Sequence, residues 1–241
     1  MSAILRIAII CVLLIGGTIE SRLVAREEAR SAASQPGSTP PPDPKRFASA
    51  IRAFQEWDKK NTPSQGAVLF TGSSSIVGWS TATAFPELTV LNRGFGGSHL
   101  TDVTHYAPDV VFRYAPSVIV LYAGDNDIAS GRSASAVADD FRALLRVLRA
   151  ELPETPLVYL SIKPSPSRWA LWPTAREANE RIAEICRQDA KTRYVDVATP
   201  LLGADGTPRD ELFLADRLHL SEAGYAAWNQ QLRPVLAEWK K

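Results

Sequence analysis

The sequence predicts an α/β fold, a mostly parallel five-stranded sheet with helices on both faces. Two observations point there. Five strand-like apolar runs, at 67–71, 88–91, 117–122, 157–162 and 194–197, alternate with segments whose apolar residues recur at helical spacing. Each run is also followed by a polar motif carrying Gly, Asn, Ser or Asp. In a parallel sheet the loops beyond the carboxyl ends of the strands are where sites form.

The chain opens with Arg6 and a nearly uninterrupted apolar run at 7–19. That is shorter than the ~20 residues of a usual membrane-spanning helix and fits the apolar region of a signal peptide. No clean Ala-x-Ala site follows, so residues 1–20 read as a signal peptide or an uncleaved membrane anchor. Cys11 lacks the Leu-x-Gly-Cys context of a lipoprotein. Residues 21–44 are charged and then Pro-rich, a linker without a core of its own, and the domain proper spans 45–241. On this reading the domain is exported, or tethered clear of the lipid, on the periplasmic or extracellular side.

Phe47, Ile51, Phe54 and Trp57 place an amphipathic helix over 45–59. Val137, Phe141, Leu144, Leu145, Leu148 and Leu152 form the clearest apolar stripe. Ala178, Ile182, Ile185 and Cys186 form another, which makes Cys186 a core residue rather than a reactive one. A last helix covers 222–232, and Pro234 is expected to kink or end it.

Composition excludes several classes. The 241 residues are 45% hydrophobic and 22% charged, as in an ordinary globular protein. A formal net charge of +1 leaves no electrostatic footprint for nucleic acid. Gly94-Phe95-Gly96-Gly97-Ser98-His99 fails as a dinucleotide fingerprint, because His99 stands at the third Gly. Asp125 and Asp127 lack the His pair of a hydrolytic metal site.

Acyl transfer fits the strand-end motifs better. After the first strand, Gly72-Ser73-Ser74-Ser75 puts hydroxyls in a strand-to-helix turn, near free N–H groups and a partial positive charge. Such a hydroxyl is either a helix cap or a nucleophile, and a nucleophilic serine needs a base. Among the three histidines, His219 follows the last strand and has a carboxylate placed for a short return, Asp216, three residues earlier. Asp216 can accept from Nδ1–H while Nε2 faces the serine. Gly97 can present a bare backbone N–H, and Asn126 a side-chain NH₂ that cannot ionise. Lys163, Arg168 and Arg93 are expected in strand-end loops, as substrate contacts or as structural ion pairs. Trp169 and Trp172 line a pocket or pack in the core.

Taken in order, Phe70-Thr71-Gly72-Ser73-Ser74-Ser75-Ile76, Asn92-Arg93-Gly94-Phe95-Gly96-Gly97-Ser98, Tyr122-Ala123-Gly124-Asp125-Asn126-Asp127 and Asp216-Arg217-Leu218-His219-Leu220 resemble the four blocks of the SGNH (GDSL-like) hydrolase family. The resemblance runs from about 47 to 239. It implies a flavodoxin-like three-layer α/β/α sandwich and an esterase acting on a small-molecule ester. It further implies Ser74 as nucleophile, His219 as base, Asp216 as its orienting carboxylate, and an oxyanion hole from the Ser74 and Gly97 N–H groups and the Asn126 side chain. No metal or organic cofactor is expected, since protein groups fill every role. One departure from the family matters: Ser73 stands where its Gly-Asp-Ser-Leu motif has Asp. Family members span lipid esters, acetylated sugars and thioesters, and a glycan-binding relative without turnover is a further alternative.

Overall fold

The computed structural model describes residues 38–239. The apolar run at 7–19, Cys11 and the charged stretch after them lie outside the described residues. Five strands form one sheet: β1 Val68–Gly72, β2 Val90–Gly94, β3 Val118–Tyr122, β4 Leu157–Leu160 and β5 Thr192–Val195. Their order is β2-β1-β3-β4-β5, and every neighbouring pair is parallel. Winding therefore reverses between β1 and β3, which opens a crevice beyond their carboxyl ends.

Eight α-helices stand among the described residues: α1 Ala48–Asn61, α2 Ser74–Val77, α3 Thr81–Ala84, α4 Leu100–Val110, α5 Asp125–Ala129, α6 Ala134–Glu151, α7 Trp172–Arg187 and α8 Glu222–Glu238. None of the described helices is long and apolar enough to cross a membrane. Strand residues alternate between two cores, as the two-residue period of a strand requires. Leu69, Ile119, Leu121 and Tyr159 pack with Val103 of α4, Phe141 of α6 and Ile182 of α7. Phe70, Val118, Val120 and Leu160 pack with Ile76 of α2 and with Trp228 and Leu232 of α8. Those are the outer layers of an α/β/α sandwich.

Two elements differ from the sequence reading. β2 starts at Val90 and continues through Asn92, Arg93 and Gly94, where a polar loop was expected. Its backbone stays paired with Phe70–Gly72, and its polar side chains find buried partners. Asn92 donates from Nδ2 to the Ile76 carbonyl at 2.7 Å, and Arg93 donates to Tyr114 Oη at 2.8 Å and pairs with Asp58. α8 runs on through Pro234 to Glu238. Trp228, Leu232 and Leu236 bury one continuous face, and that burial outweighs the hydrogen bond that Pro234 forgoes. Cys186 is buried in α7 as expected, and burial pushes its thiol up to about 12. Ser38 and Thr39, from the Pro-rich stretch, bond to the segment after α5. Thr39 N donates to the Gly131 carbonyl at 3.3 Å, and Arg132 donates to the Thr39 carbonyl at 3.0 Å.

Candidate active site

The turn after β1 is built by one glycine. Gly72 has φ +124°, and a Cβ there would lie 1.9 Å from the Tyr122 carbonyl oxygen. Any other residue would push β1 and β3 apart at the point where the site begins. Ser73 extends the β1–β3 pairing by donating its N–H to the same carbonyl at 2.9 Å. It then becomes the N-cap of α2, its own carbonyl accepting from Ile76 N. Ser73 and Ser75 are each 2% exposed, whereas Ser74 is half-buried at the mouth of the crevice. Of the three hydroxyls it is that of Ser74 that meets the imidazole, with Oγ 2.9 Å from His219 Nε2.

His219 is held by the segment before α8. A β-bridge between Phe213 and Leu220 closes the segment, and Leu214 N donates to the His219 carbonyl at 2.8 Å. Inside it, Asp216 Oδ1 accepts from both Leu218 N and His219 N at 2.9 Å. Its other oxygen lies 2.6 Å from His219 Nδ1. Arg217 takes φ +58°, which turns the chain tightly enough for a carboxylate to reach an imidazole three residues on. The hydrogen bond to His219, with those from the backbone, holds the Asp216 carboxyl well below the usual carboxylate range. Ser74, His219 and Asp216 thus form one chain of hydrogen bonds spanning 145 positions of sequence.

The other two expected residues flank it. Phe95 N bonds the Gly72 carbonyl at 2.8 Å, tying the segment after β2 to the Ser74 turn. A Cβ at Gly96 would lie 3.7 Å from Ser74 Cβ, so this backbone runs directly beside the serine, and Gly97 follows with φ +84°. Asn126 is the second residue of α5, beyond β3. Its Nδ2 donates to the Ser98 carbonyl at 3.1 Å, and its Oδ1 accepts from Arg168 Nη1 and Nη2 at 3.2 and 3.3 Å. Lys163 and Arg168 are structural partners of Asp125, at 2.9 and 2.7 Å. Burial would raise the Asp125 carboxyl, but those two cations outweigh it and hold it low. Trp169 and Trp172 stack on each other, half-buried, with centroids 6.2 Å apart, and Trp172 packs against the core. The contact between Arg168 and Asn126 joins residues 42 positions apart, and no local spacing announces it.

Residues 62–227 match the model of the GDSL-like Lipase/Acylhydrolase family. The chain belongs to that family. No curated protein matches this chain in sequence. Among solved structures it is similar to a Streptococcus pneumonia protein whose description names platelet activating factor, at 22% identity and TM-score 0.67, covering 78% of this chain and 99% of that one. A GDSL-like lipase from Bacteroides thetaiotaomicron shares 18% identity at TM-score 0.62, over 81% and 98%. A mutant of an acetylxylan esterase from Geobacillus stearothermophilus shares 17% at TM-score 0.58, over 74% and 98%. At these identities the likeness is one of fold.

Behind Asn126 the chain buries two ionisable groups whose protonation is inverted by their surroundings. Burial, with the Asp140 charge nearby, pushes Asp127 up to about 7. Burial, reinforced by Arg46, Arg132 and Arg168, pushes His99 down to about 4. His99 Nδ1 lies 3.8 Å from Asp127 Oδ1. From an unfolded value near ~3.9 up to the folded value, only the folded chain keeps the Asp127 proton, so stability falls as pH rises. For His99 the sign reverses: below ~6.5 the unfolded chain holds a proton that the folded chain lacks, so stability rises with pH. The slopes oppose each other between about pH 4 and about pH 6.5. Asp127→Asn should unmask the His99 slope. It should gain on the wild type as pH rises, by on the order of 4 kcal/mol between about pH 4 and about pH 8. Urea unfolding across that range checks this, and parallel curves for the two proteins would refute it. Among the described residues no set of three or more His, Cys, Asp and Glu side chains gathers to hold a metal ion.

Proposed function

We propose that the protein is a serine esterase that hydrolyses carboxylic esters through an acyl-enzyme on Ser74. The observation that carries this is the hydrogen-bond chain from Ser74 Oγ through His219 to Asp216. His219 Nε2 takes the hydroxyl proton as Oγ attacks the ester carbonyl. The oxyanion accepts from the Ser74 and Gly97 N–H groups and the second hydrogen of Asn126 Nδ2. As the carbon–oxygen bond to the alcohol breaks, His219 returns the proton to the departing alkoxide. Water then repeats the sequence on acyl-Ser74 and releases the acid. Protein groups supply every step, and the reaction as written uses no metal or organic cofactor.

Rapid-quench kinetics with p-nitrophenyl acetate is the test. A burst of nitrophenol and an acetyl adduct on the peptide bearing Ser74 are expected. Turnover with an adduct on another residue would refute the assignment.

A second reading, an acetylated carbohydrate as substrate, draws support from the openness of the site. The His219 and Asp216 side chains are 36% and 47% exposed. A short acyl group on a bulky alcohol suits such a mouth better than a long acyl chain, whose burial requires a deep apolar pocket. An ester panel from acetyl upward separates the two. The apolar run at 7–19 supports export or a membrane tether. Full-length protein found free in the cytosol on fractionation would end that part of the proposal.

A further inference from the structure

We infer that Arg168 is a positioning residue for acyl transfer: its guanidinium fixes which end of the Asn126 amide faces the reacting carbonyl. This rests on the reading of Asn126 as an oxyanion donor. An Asn amide can turn by half a rotation and exchange its donor and acceptor ends. Turned one way it offers N–H to the oxyanion; turned the other way it sets an oxygen lone pair against it. Two contacts select the productive orientation. Nδ2 donates to the Ser98 carbonyl, and Oδ1 receives both arms of the Arg168 guanidinium. The reversed amide would set oxygen against the Ser98 carbonyl and an NH₂ against a cation. Both contacts would then be lost at once, in a site where unmatched polar groups are costly.

The guanidinium is itself fixed. Nη1 donates to Asp125 Oδ1, and the other oxygen of Asp125 is held by Lys163, which is 3% exposed. The segment carrying Arg168 also bonds to the His219 segment, through Ser167 N and the Arg217 carbonyl at 3.0 Å. One short stretch therefore links the base side of the site to the oxyanion side. Lys163 and Arg168 thus share the one Asp125 carboxylate beside Asn126. The pull of Arg168 on Oδ1 polarises the amide and strengthens its N–H as a donor. A group acting this way lowers the barrier to both tetrahedral intermediates and leaves binding of a neutral ester unchanged.

The test is a double-mutant cycle on p-nitrophenyl acetate hydrolysis with Arg168→Met, Asn126→Ala and the pair. Asn126→Ala should lower kcat about 100- to 1000-fold, and Arg168→Met about 10- to 100-fold with KM within about 2-fold. The pair should be no slower than Asn126→Ala alone by more than about 2-fold, because Arg168 then has nothing to orient. Arg168→Lys, which keeps a cation for Asp125 but has no fork, should fall between wild type and Arg168→Met. If the two losses multiply, or if KM rises while kcat holds, Arg168 acts elsewhere and the inference is overturned. If Asn126→Ala is as fast as wild type while Ser74 still acylates, the oxyanion assignment fails and the inference fails with it. Loss of the Ser74 adduct would instead strike the esterase mechanism itself. Thermal melting accompanies each variant; should Arg168→Met not fold, the same cycle with Arg168→Lys decides.

Discussion

Ser74→Ala is expected to lower kcat for p-nitrophenyl acetate by up to roughly a million-fold, about 8 kcal/mol of barrier, while Ser75→Ala stays within about 3-fold of wild type. The two serines are neighbours, and the fold treats them oppositely. Ser74 stands at the mouth of the crevice with its hydroxyl on His219 Nε2. Ser75 is buried behind it, and its carbonyl is occupied by Tyr225 Oη at 2.9 Å. Removing the Ser74 hydroxyl takes away one hydrogen bond at a half-exposed position, so stability should change by no more than about 1 kcal/mol. The lost activity then cannot be attributed to unfolding. Steady-state kinetics and a thermal melt on both variants are sufficient. The reverse pattern, with Ser75→Ala inactive and Ser74→Ala active, would move the nucleophile one residue along.

The selection of Ser74 illustrates how far the sequence carries. Gly72 sets the turn before Ser74, and the 1.9 Å approach of its missing Cβ to the Tyr122 carbonyl is the physical reason. Asp216 and His219 were legible because a three-residue spacing in a turn is a local property, and local geometry follows from local sequence. Both core-facing stripes and the parallel alternation were legible through their periods. What escaped was decided by pairing across the fold. β2 keeps its polar end in the sheet because Asp58, Tyr114 and the Ile76 carbonyl receive Arg93 and Asn92. α8 passes Pro234 because a buried face on the same helix outweighs one missing donor. Arg168 looked like either a substrate contact or an ion pair. Its contacts with Asp125 and Asn126 are defined only once β3 and the segment after β4 lie side by side.

Asp216→Asn is the second large effect, an expected fall of about 10,000-fold in kcat, or about 5 kcal/mol. The substitution is nearly isosteric, so the loss must come from hydrogen-bond polarity. In the wild type, Asp216 Oδ1 takes the Leu218 and His219 N–H groups, and Oδ2 takes His219 Nδ1. An Asn at this position keeps its single carbonyl oxygen on the two backbone donors, because an NH₂ there would oppose them both. Its NH₂ must then face Nδ1. That makes Nδ1 an acceptor and moves the imidazole proton to Nε2, the atom that has to receive the proton of Ser74. The variant should fold as well as the parent, since the side chain is about half exposed and its turn contacts survive. Because the Asp216 carboxyl lies well below the usual carboxylate range, it is charged throughout any assay near neutrality. The acid limb of kcat/KM therefore does not report the proton on Asp216. Measuring kcat/KM for both proteins from about pH 5 to about pH 9 checks the argument. A variant with wild-type rate and wild-type profile would make Asp216 a turn residue only, and the base would need another carboxylate to orient it.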